Sequence, residues 1–424
     1  MGLPTIETLA PGVTFLSLPD SRFKTARLTA ALFLPLREET AAVNAIVPHL
    51  LRRSCAAYPA MRALNRRLDT LYGARMQAGV TRLGDQQGML LTANGIDDRF
   101  ALHGEAIAAS CADLLLSMLF EPAFEQGVFR EEDVTQERRC LIENIEAEIN
   151  EKRLYARHRC EQLLCPGEPY AARVYGTLES ARAITPAAAA QAWEAMLATA
   201  RIHWIYQGSD NERVAQAIGD AFAARGTRRP VELTTNTAFT PGPLREQTEE
   251  MAVKQAKLVM GFRLDMAEPS DDTMAARLMN ALFGGTPHSL LFRNVREKYS
   301  LCYYCASSYD YHKGVLLVDS GVEESKADEA RAEILHQLEE LREGRFTDED
   351  LESARRSVLN QFHEVDDLQA SRESWYLRQT LRSVPATPDE EAAKAAAVTR
   401  EQVCAAARRV TPVCVYLLKS EKEG

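Results

Sequence analysis

The pattern of hydrophobic and polar positions in the first half of the chain predicts strands and helices in a definite order. Two apolar runs, Val13 to Leu18 and Arg27 to Leu34, predict short strands, and the second (RLTAALFL) is apolar enough to be buried. Apolar residues three and four positions apart predict helices over Glu38 to Arg53 and Ala60 to Leu71. A strand pair and two long helices are expected next, over 75–81, 88–93, 98–119 and 131–164.

The second half of the chain repeats this order. Met251 to Leu264 is strand-like and Ser270 to Leu282 is helical. A strand pair and two long helices follow, over 301–309, 314–320, 325–342 and 347–364. One junction matches closely, because FEPAFEQGVFREEDVTQERRCLIENI and LREGRFTDEDLESARRSVLNQF share a loop with Phe and an acidic helix start. We interpret the chain as an internal duplication of one α+β unit.

A turn-rich segment separates the two copies. The stretch RGTRRPVELTTNTAFTPGP, over 225–243, contains Gly226, Pro230 and the run Pro241 to Pro243. At 424 residues the chain is also too long for one ordinary core. The predicted domains are therefore 1–225 and 250–424, joined by a linker over 226–249. Each is expected to be a mainly antiparallel sheet covered by helices, which makes the fold class α+β.

Charge and cysteine content narrow the classes of partner and compartment. The 50 Lys and Arg residues against 60 Asp and Glu give a net charge of −10, and no long basic run is present, so nucleic acid and anionic membranes are not expected partners. Nine cysteines, an odd number in a chain of this size, favour reduced thiols. No signal peptide or membrane-spanning run is evident. We expect a cytoplasmic protein.

Three motifs resemble the M16 family of zinc peptidases, which includes insulinase, pitrilysin and the mitochondrial processing peptidase. They are LFGGTPHSLLFRNVREKYSLCY over 282–303, ERRCLIENI over 137–145 and PYAARVYGT over 169–177, and they occur in family order over most of the chain. The resemblance implies two homologous α+β domains joined by a linker, and two such pairs closing around an extended peptide. The similarity is greatest to short bacterial members that lack zinc and pair with a zinc-bearing subunit.

The family's zinc motif is degenerate in this chain. Members carry His-x-x-Glu-His on one helix, which places two imidazoles and a general base beside the metal. The matching positions here are Ala45, Pro48 and His49, so only one histidine is left. The later helix, which offers two glutamates seven residues apart, has Glu137 and Asn144. We expect no catalytic zinc and no other cofactor, and Pro48 suggests a kink in the helix. If the alignment of the two glutamate positions is shifted by one residue, Glu143 becomes available as a metal ligand. The general base of the motif is still absent.

Two residues of the family's second domain are retained. In the family an Arg and a Tyr seven residues later hold the substrate backbone and the tetrahedral intermediate, and the matching residues here are Arg296 and Tyr303. A guanidinium and a phenol are suitable donors to a carbonyl or an oxyanion. The competing interpretation is that Arg296 pairs with Glu297 or a helix end and that Tyr303 fills a strand face. The surrounding motif favours the functional interpretation.

The spacing Cys302-Tyr303-Tyr304-Cys305 admits a metal or redox role, but no second pair lies at zinc-ribbon distance. Residues i and i+3 of a regular strand point to opposite faces, so we expect two separate structural thiols.

These observations give three functional hypotheses. The first is a non-catalytic subunit of a heteromeric M16-type metallopeptidase, which supplies Arg296, Tyr303 and part of a peptide chamber to a partner with intact His-x-x-Glu-His. The second is a peptide-binding or scaffold protein without hydrolytic activity, associated with protein or peptide modification or resembling the family's structural members in a respiratory complex. The third is an active peptidase with a rebuilt metal site. The expected substrate is a peptide or small protein, and a homodimer of the isolated chain is left open.

Overall fold

The computed structural model describes residues 4–268, 270–380, 382 and 385–421. These residues form two compact units that are discontinuous in sequence. Unit 1 comprises residues 1–146, 172–234 and 373–381, and unit 2 comprises residues 147–171, 235–372 and 382–424. Residues 226–234 of the predicted linker lie in unit 1, and residues 235–249 lie in unit 2.

Unit 1 is built on a six-stranded sheet in the order β1-β2-β8-β3-β5-β4. The strands are β1 (Thr5–Ala10), β2 (Val13–Ser17), β3 (Thr25–Pro35), β4 (Arg75–Leu83), β5 (Gln86–Ile96) and β8 (Arg201–Gln207), with a separate two-stranded ribbon of β6 (Phe124–Glu125) and β7 (Val128–Phe129). Strands β2 and β8 are parallel, and the other pairs in the six-stranded sheet are antiparallel.

Unit 2 repeats this topology in a five-stranded sheet of order β11-β12-β10-β13-β9. The strands are β9 (Arg245–Met251), β10 (Ala256–Arg263), β11 (Cys302–Asp310), β12 (Val315–Val322) and β13 (Thr411–Ser420). Strands β9 and β13 are parallel, as β2 and β8 are, and the other pairs are antiparallel. Strands β9, β10, β11, β12 and β13 therefore correspond in order to β2, β3, β4, β5 and β8. The expected α+β class is confirmed.

The helices occupy most of the positions predicted from the sequence. They are α1 (Glu38–Arg53), α2 (Met61–Thr70), α3 (Ile107–Phe120), α4 (Glu131–Asn150), α5 (Lys152–Leu164), α6 (Leu178–Arg182), α7 (Pro186–Thr199), α8 (Asn211–Ala223), α9 (Thr273–Asn280), α10 (Ala327–Arg342), α11 (Asp348–His363), α12 (Gln369–Leu377), α13 (Pro388–Ala397) and α14 (Arg400–Arg408). Two π-helical segments follow α9, at Ala281–Gly285 and Leu291–Lys298. No helix within the described ranges is long and apolar enough to cross a bilayer.

The predicted helix over 131–164 is two helices. Helix α4 ends at Asn150, and the Glu151 carboxylate then accepts a hydrogen bond from the Leu154 backbone N–H at 2.7 Å, which begins α5. The boundary between the units lies near this break, after residue 146, so the last residues of α4 and all of α5 belong to unit 2. There α5 packs against the sheet, with Cys160 and Leu164 in a buried cluster that includes Val259.

Two arginines on α5 bind one buried carboxylate of the unit 2 sheet. Arg153 Nε and Arg157 Nη1 each donate to Asp319 on β12 at 2.6 Å, and Asp319 is 2% exposed. Arg157 also donates to the Ser308 hydroxyl at 2.9 Å. The two arginines lie four residues apart, so they share one helix face. Asp319 therefore fixes the position of α5 on the sheet.

Asp319→Asn should destabilise the protein by about 2 kcal/mol, because it leaves two guanidinium groups without their counter-charge. The expected cost is below that of a fully buried pair, since Arg153 is about half exposed. Urea denaturation would measure the change. Glu246→Gln is the matched control, because it removes the exposed pair with Arg331 and should leave stability nearly unchanged. Equal midpoints for the two variants would contradict the role of Asp319.

Candidate degenerate metal site and retained donor residues

Helix α1 carries the three positions that match the zinc motif. It continues past Pro48 to Arg53. Ala45 is fully buried, Pro48 is buried and His49 is half-buried. A methyl group and a pyrrolidine ring offer no metal ligand and no proton acceptor. The helix therefore presents one imidazole, that of His49, where the family has two ligands and a base.

Glu137, at the first of the two glutamate positions, is already bound to a cation. Arg53, one turn after His49 on α1, donates to Glu137 Oε1 at 2.7 Å and to Asp133 Oδ1 at 2.6 Å. Arg130 also donates to Asp133, at 2.7 Å. Both carboxylates are nearly buried. The positive charge that balances Glu137 thus comes from the protein itself. Arg53 was not predicted as a site residue. Two signals pointed to it: it lies four residues after His49, and Asp133 and Glu137 lie four residues apart on one helix face.

The second of the two glutamate positions on α4 carries no charged metal ligand. Asn144 is exposed on α4. Glu143, the alternative ligand if the motif slips by one residue, lies in a surface ion pair with Arg139 at 3.6 Å. No group of three or more His, Cys, Asp or Glu side chains in the described part of the chain is arranged to hold a metal ion. The residues present therefore do not fit the zinc site of the active family members.

His49 lines an open cleft of about 540 Å³ in unit 1. The residues that line it are Arg27, His49, Arg52, Met76, Gln77, Ala78, Gly79, Leu90, Thr92 and Glu373. Burial lowers the pKa of His49 below its ordinary value; Glu137 opposes this shift and the nearby Arg52 reinforces it. The imidazole is therefore neutral at pH 7 and can donate one hydrogen bond and accept another.

Arg296 and Tyr303 are both exposed in unit 2. Arg296 lies on the π-helical segment before β11, with its guanidinium 4.6 Å from the centre of the Phe292 ring. Tyr303 lies on β11, the edge strand of the sheet, and is 63% exposed. Neither makes a hydrogen bond or ion pair with the residues that the structure describes, so Arg296 does not pair with Glu297 there. Their role as substrate donors stays a prediction.

A β-bulge explains the exposure of Tyr303. Cys302 pairs with Val322 and Tyr304 with Gly321, so two steps on β11 match one step on β12. Tyr303 is the extra residue, and a bulge of this kind redirects the side chain that it inserts.

The bulge also corrects the expectation for the two cysteines. Cys302 and Cys305 were expected on opposite faces, but the inserted residue brings them to the same face, because they pair with Val322 and Ser320, which lie two residues apart on β12. The neighbouring Cys305 thiol lowers the pKa of Cys302 despite burial, with smaller contributions from Ser320 and Arg296. The Cys302 thiol and burial raise the pKa of Cys305. Cys305 is also the more deeply buried of the two, so Cys302 is the more acidic thiol.

Comparisons with known proteins agree with this geometry. Residues 183–358 match the family described as the peptidase M16 inactive domain. The resemblance to the M16 family is confirmed. Over 96% of both chains, the protein is 28% identical to a Bacillus subtilis (strain 168) protein named "Probable inactive metalloprotease YmfF". The chain is thus similar to the M16 inactive domain over residues 183–358 and, over nearly its whole length, to a relative named as a probable inactive metalloprotease.

Solved structures share the fold over nearly the whole chain. A conserved protein from Enterococcus faecalis V583 is 26% identical with a TM-score of 0.91, and the match covers 99% of each chain. An M16 inactive-domain structure from Pseudomonas fluorescens is 16% identical with a TM-score of 0.77, covering 99% of this chain and 98% of that one. The second likeness concerns the fold alone.

The purified chain should contain well below one zinc ion. Ala45 supplies no ligand, Asn144 is an exposed amide and Glu137 is neutralised by Arg53. Elemental analysis after gel filtration would measure the content, with a protein-free column fraction as the blank. Stoichiometric zinc accompanied by chelator-sensitive peptidase activity would contradict this expectation.

Cys305→Ala should shift the alkylation of Cys302 to higher pH. The thiolate is the reactive form, and Cys305→Ala removes the neighbouring thiol that lowers the pKa of Cys302. Iodoacetamide labelling from pH 6 to 10, followed by mass spectrometry of the Cys302 peptide, would give the midpoint. Cys404→Ala removes another buried thiol and should not move it. An unchanged midpoint in Cys305→Ala would show that the thiol contact does not control Cys302.

Proposed function

We propose that this chain is a non-catalytic subunit of a heteromeric M16-type metallopeptidase. It supplies Arg296, Tyr303 and part of the peptide chamber, and a partner of similar fold supplies the complete His-x-x-Glu-His helix. The observation that carries the proposal is the phenol of Tyr303, exposed on a bulge at a sheet edge in a chain whose own metal positions lack ligands. Unpaired donors of this kind are useful only when another molecule provides the acceptor.

The chemistry assigned to the two residues follows from their functional groups. During peptide hydrolysis a carbonyl oxygen gains negative charge, and donors aimed at it stabilise the transition state. Arg296 offers a planar, permanently charged fork, and Tyr303 offers a neutral O–H. Neither can activate water. The partner's zinc would supply that step. In this proposal one subunit carries the metal and the other carries the hydrogen-bond donors.

Peptide binding is supported by the open edges of both sheets. Strand β4 ends the unit 1 sheet and β11 ends the unit 2 sheet. An edge strand presents unpaired backbone N–H and C=O groups, with which an extended peptide can form an additional strand. A peptide or small unfolded protein segment is therefore the substrate class that we propose.

A cytoplasmic location fits this role. All nine cysteines are free thiols, and eight of them are buried. Thiols of this number remain reduced in the cytoplasm, where peptidases also encounter unfolded segments. The net charge of −10 supports a protein or peptide partner over nucleic acid.

The alternative is a peptide-binding protein or scaffold that acts without a hydrolytic partner. The cleft beside His49 favours it as a second candidate, because the cleft remains open although the metal ligands are lost. Co-purification of the native protein separates the two functions. A companion with intact His-x-x-Glu-His supports the subunit, and companions without that motif support the scaffold.

Tyr303→Phe should lower kcat of the reconstituted complex by about 10²- to 10³-fold, because one donor to the developing oxyanion is lost. Assembly and stability should be nearly unchanged, since the variant removes one exposed hydroxyl. Steady-state kinetics and the dissociation constant of the complex would be measured together. Tyr299→Phe, at a neighbouring exposed tyrosine, is the control and should retain full activity.

Arg296→Ala should raise KM as well as lower kcat, because contacts to the ground-state carbonyl are lost with the guanidinium. Unchanged kinetics in both Arg296→Ala and Tyr303→Phe would favour the scaffold.

A further inference from the structure

Two thiols contact each other where α5 packs on the unit 2 sheet. The Sγ atoms of Cys160 on α5 and Cys414 on β13 are 3.6 Å apart, and both residues are buried. Both are free thiols in this structure. A disulfide bond is about 2.05 Å long, so the two sulfur atoms would have to approach by about 1.5 Å. The side chains therefore face each other in a position from which a disulfide can form.

The packing around the pair holds the two thiols in this position. Gly261 on β10 pairs with Cys414, and a Cβ atom added at Gly261 would lie 2.6 Å from the Cys414 sulfur. The same added atom would lie 3.2 Å from the methyl carbons of Leu164 on α5. The Cys414 thiol and α5 thus fill the space that a larger residue on β10 would occupy. The contact between the two sulfurs is built from three elements, α5, β10 and β13.

Helix α5 joins distant parts of the sequence without a covalent link. It comes from the first half of the chain but belongs to unit 2, together with the last strand, β13. Apolar packing and the two ion pairs with Asp319 hold it on the sheet. Cys160 and Cys414 lie 254 positions apart. A bond between them would close a long loop, and long loops remove the most freedom from the unfolded chain.

The closed structure protects the pair from oxidants. Burial and the neighbouring Cys414 thiol raise the pKa of Cys160, so this thiol is protonated at neutral pH. The thiolate is the attacking form in thiol–disulfide exchange, and the oxidant also needs access to the sulfur. Both conditions require α5 to separate from the sheet for a short time. The ion pairs of Asp319 with α5 oppose that local opening.

We propose that Cys160 and Cys414 form a disulfide bond under oxidising conditions, and that this bond fastens α5 to the unit 2 sheet. The oxidant is a small-molecule disulfide such as oxidised glutathione. One thiolate of the pair attacks a sulfur of the oxidant and releases one glutathione thiolate. The other attacks the resulting mixed disulfide and releases the second. Two protein thiols and one glutathione disulfide thus give one protein disulfide and two glutathione thiols. This inference does not depend on a partner subunit or on peptide binding.

The bond is detected by peptide mapping of the full chain after incubation with oxidised glutathione. Free thiols are blocked with iodoacetamide, and the chain is digested with trypsin without a reductant. Peptides 160–173 and 410–419 should then be recovered as one linked species. Peptide 160–173 also contains Cys165, so Cys165→Ala is the matched control and should retain the link. Cys160→Ala should abolish it. Absence of the link from the oxidised chain, or its persistence in Cys160→Ala, would overturn the assignment.

The rate of linking tests whether opening of α5 controls the reaction. Asp319→Asn should form the link about tenfold faster, because weaker ion pairs allow α5 to open more often. Glu246→Gln, which removes an exposed ion pair of unit 2, should react at the rate of the unmodified sequence. Circular dichroism of each variant would verify the fold. Equal rates in all three chains would overturn the dependence on α5.

Urea denaturation tests whether the bond fits the folded structure. The linked chain should unfold at a higher urea concentration than the reduced chain, because the bond restricts the unfolded state. Cys160→Ala treated with the same oxidant should show no such increase. A lower midpoint for the linked chain would overturn the proposal, since the bond would then have formed in molecules whose α5 had left the sheet.

Discussion

The ion pairs of Arg53 with Glu137 and Asp133 determine what the degenerate site can do. They join α1 to α4, the two helices that carry the metal ligands in active members of the family. Removing Arg53 would leave two nearly buried carboxylates without a cation, and uncompensated buried charge is costly. The guanidinium of Arg53, which belongs to the chain itself, therefore supplies the counter-charge of Glu137 and Asp133.

The two copies of the α+β unit have diverged in chemistry but not in topology. Apart from the additional strand β1 in unit 1, their sheets have the same strand order and the same single parallel pair. Each unit also includes a segment from the other half of the sequence, namely residues 373–381 in unit 1 and 147–171 in unit 2. The first of these segments follows α11, and the second begins in the last turn of α4, so the two segments occupy similar positions in the two copies. Neither unit is a contiguous piece of the sequence that could be removed intact.

Sequence patterns predicted the elements whose apolar positions are periodic. The bounds of α1 matched the prediction, because a mostly buried apolar segment from Ala41 to Leu51 lies between acidic residues in the first turn and arginines in the last. Strands β1, β6, β7, β8, β9 and β13 were not predicted, and most of β9 lies in the segment predicted to be a linker. Most residues of β1 are exposed, so the strand carries little hydrophobic signal. The break at Glu151 was missed because local composition on both sides favours a helix.

The candidate site could be predicted only at positions where the residue type alone decides whether a metal ligand or a base is present. Ala45 and Pro48 exclude a ligand and a base whatever their surroundings, so the sequence sufficed to question the metal site. The bulge at Tyr303 depends on the register of β11 against β12, which involves residues nearly twenty positions away. The pairing of Arg53 with Glu137 joins two helices 84 positions apart in the chain. Such contacts are tertiary, and no local pattern specifies them.

A zinc ion and an arginine side chain support different chemical steps. Zinc offers an open coordination position at which water becomes a nucleophile near neutral pH. A guanidinium has five N–H donors and no such position, so it can hold or orient an oxygen but cannot generate hydroxide. Arg53 is paired with two carboxylates, whereas Arg296 makes no ion pair with the described residues. An exposed guanidinium such as that of Arg296 is suited to holding an oxygen acceptor, and breaking a peptide bond requires a different group.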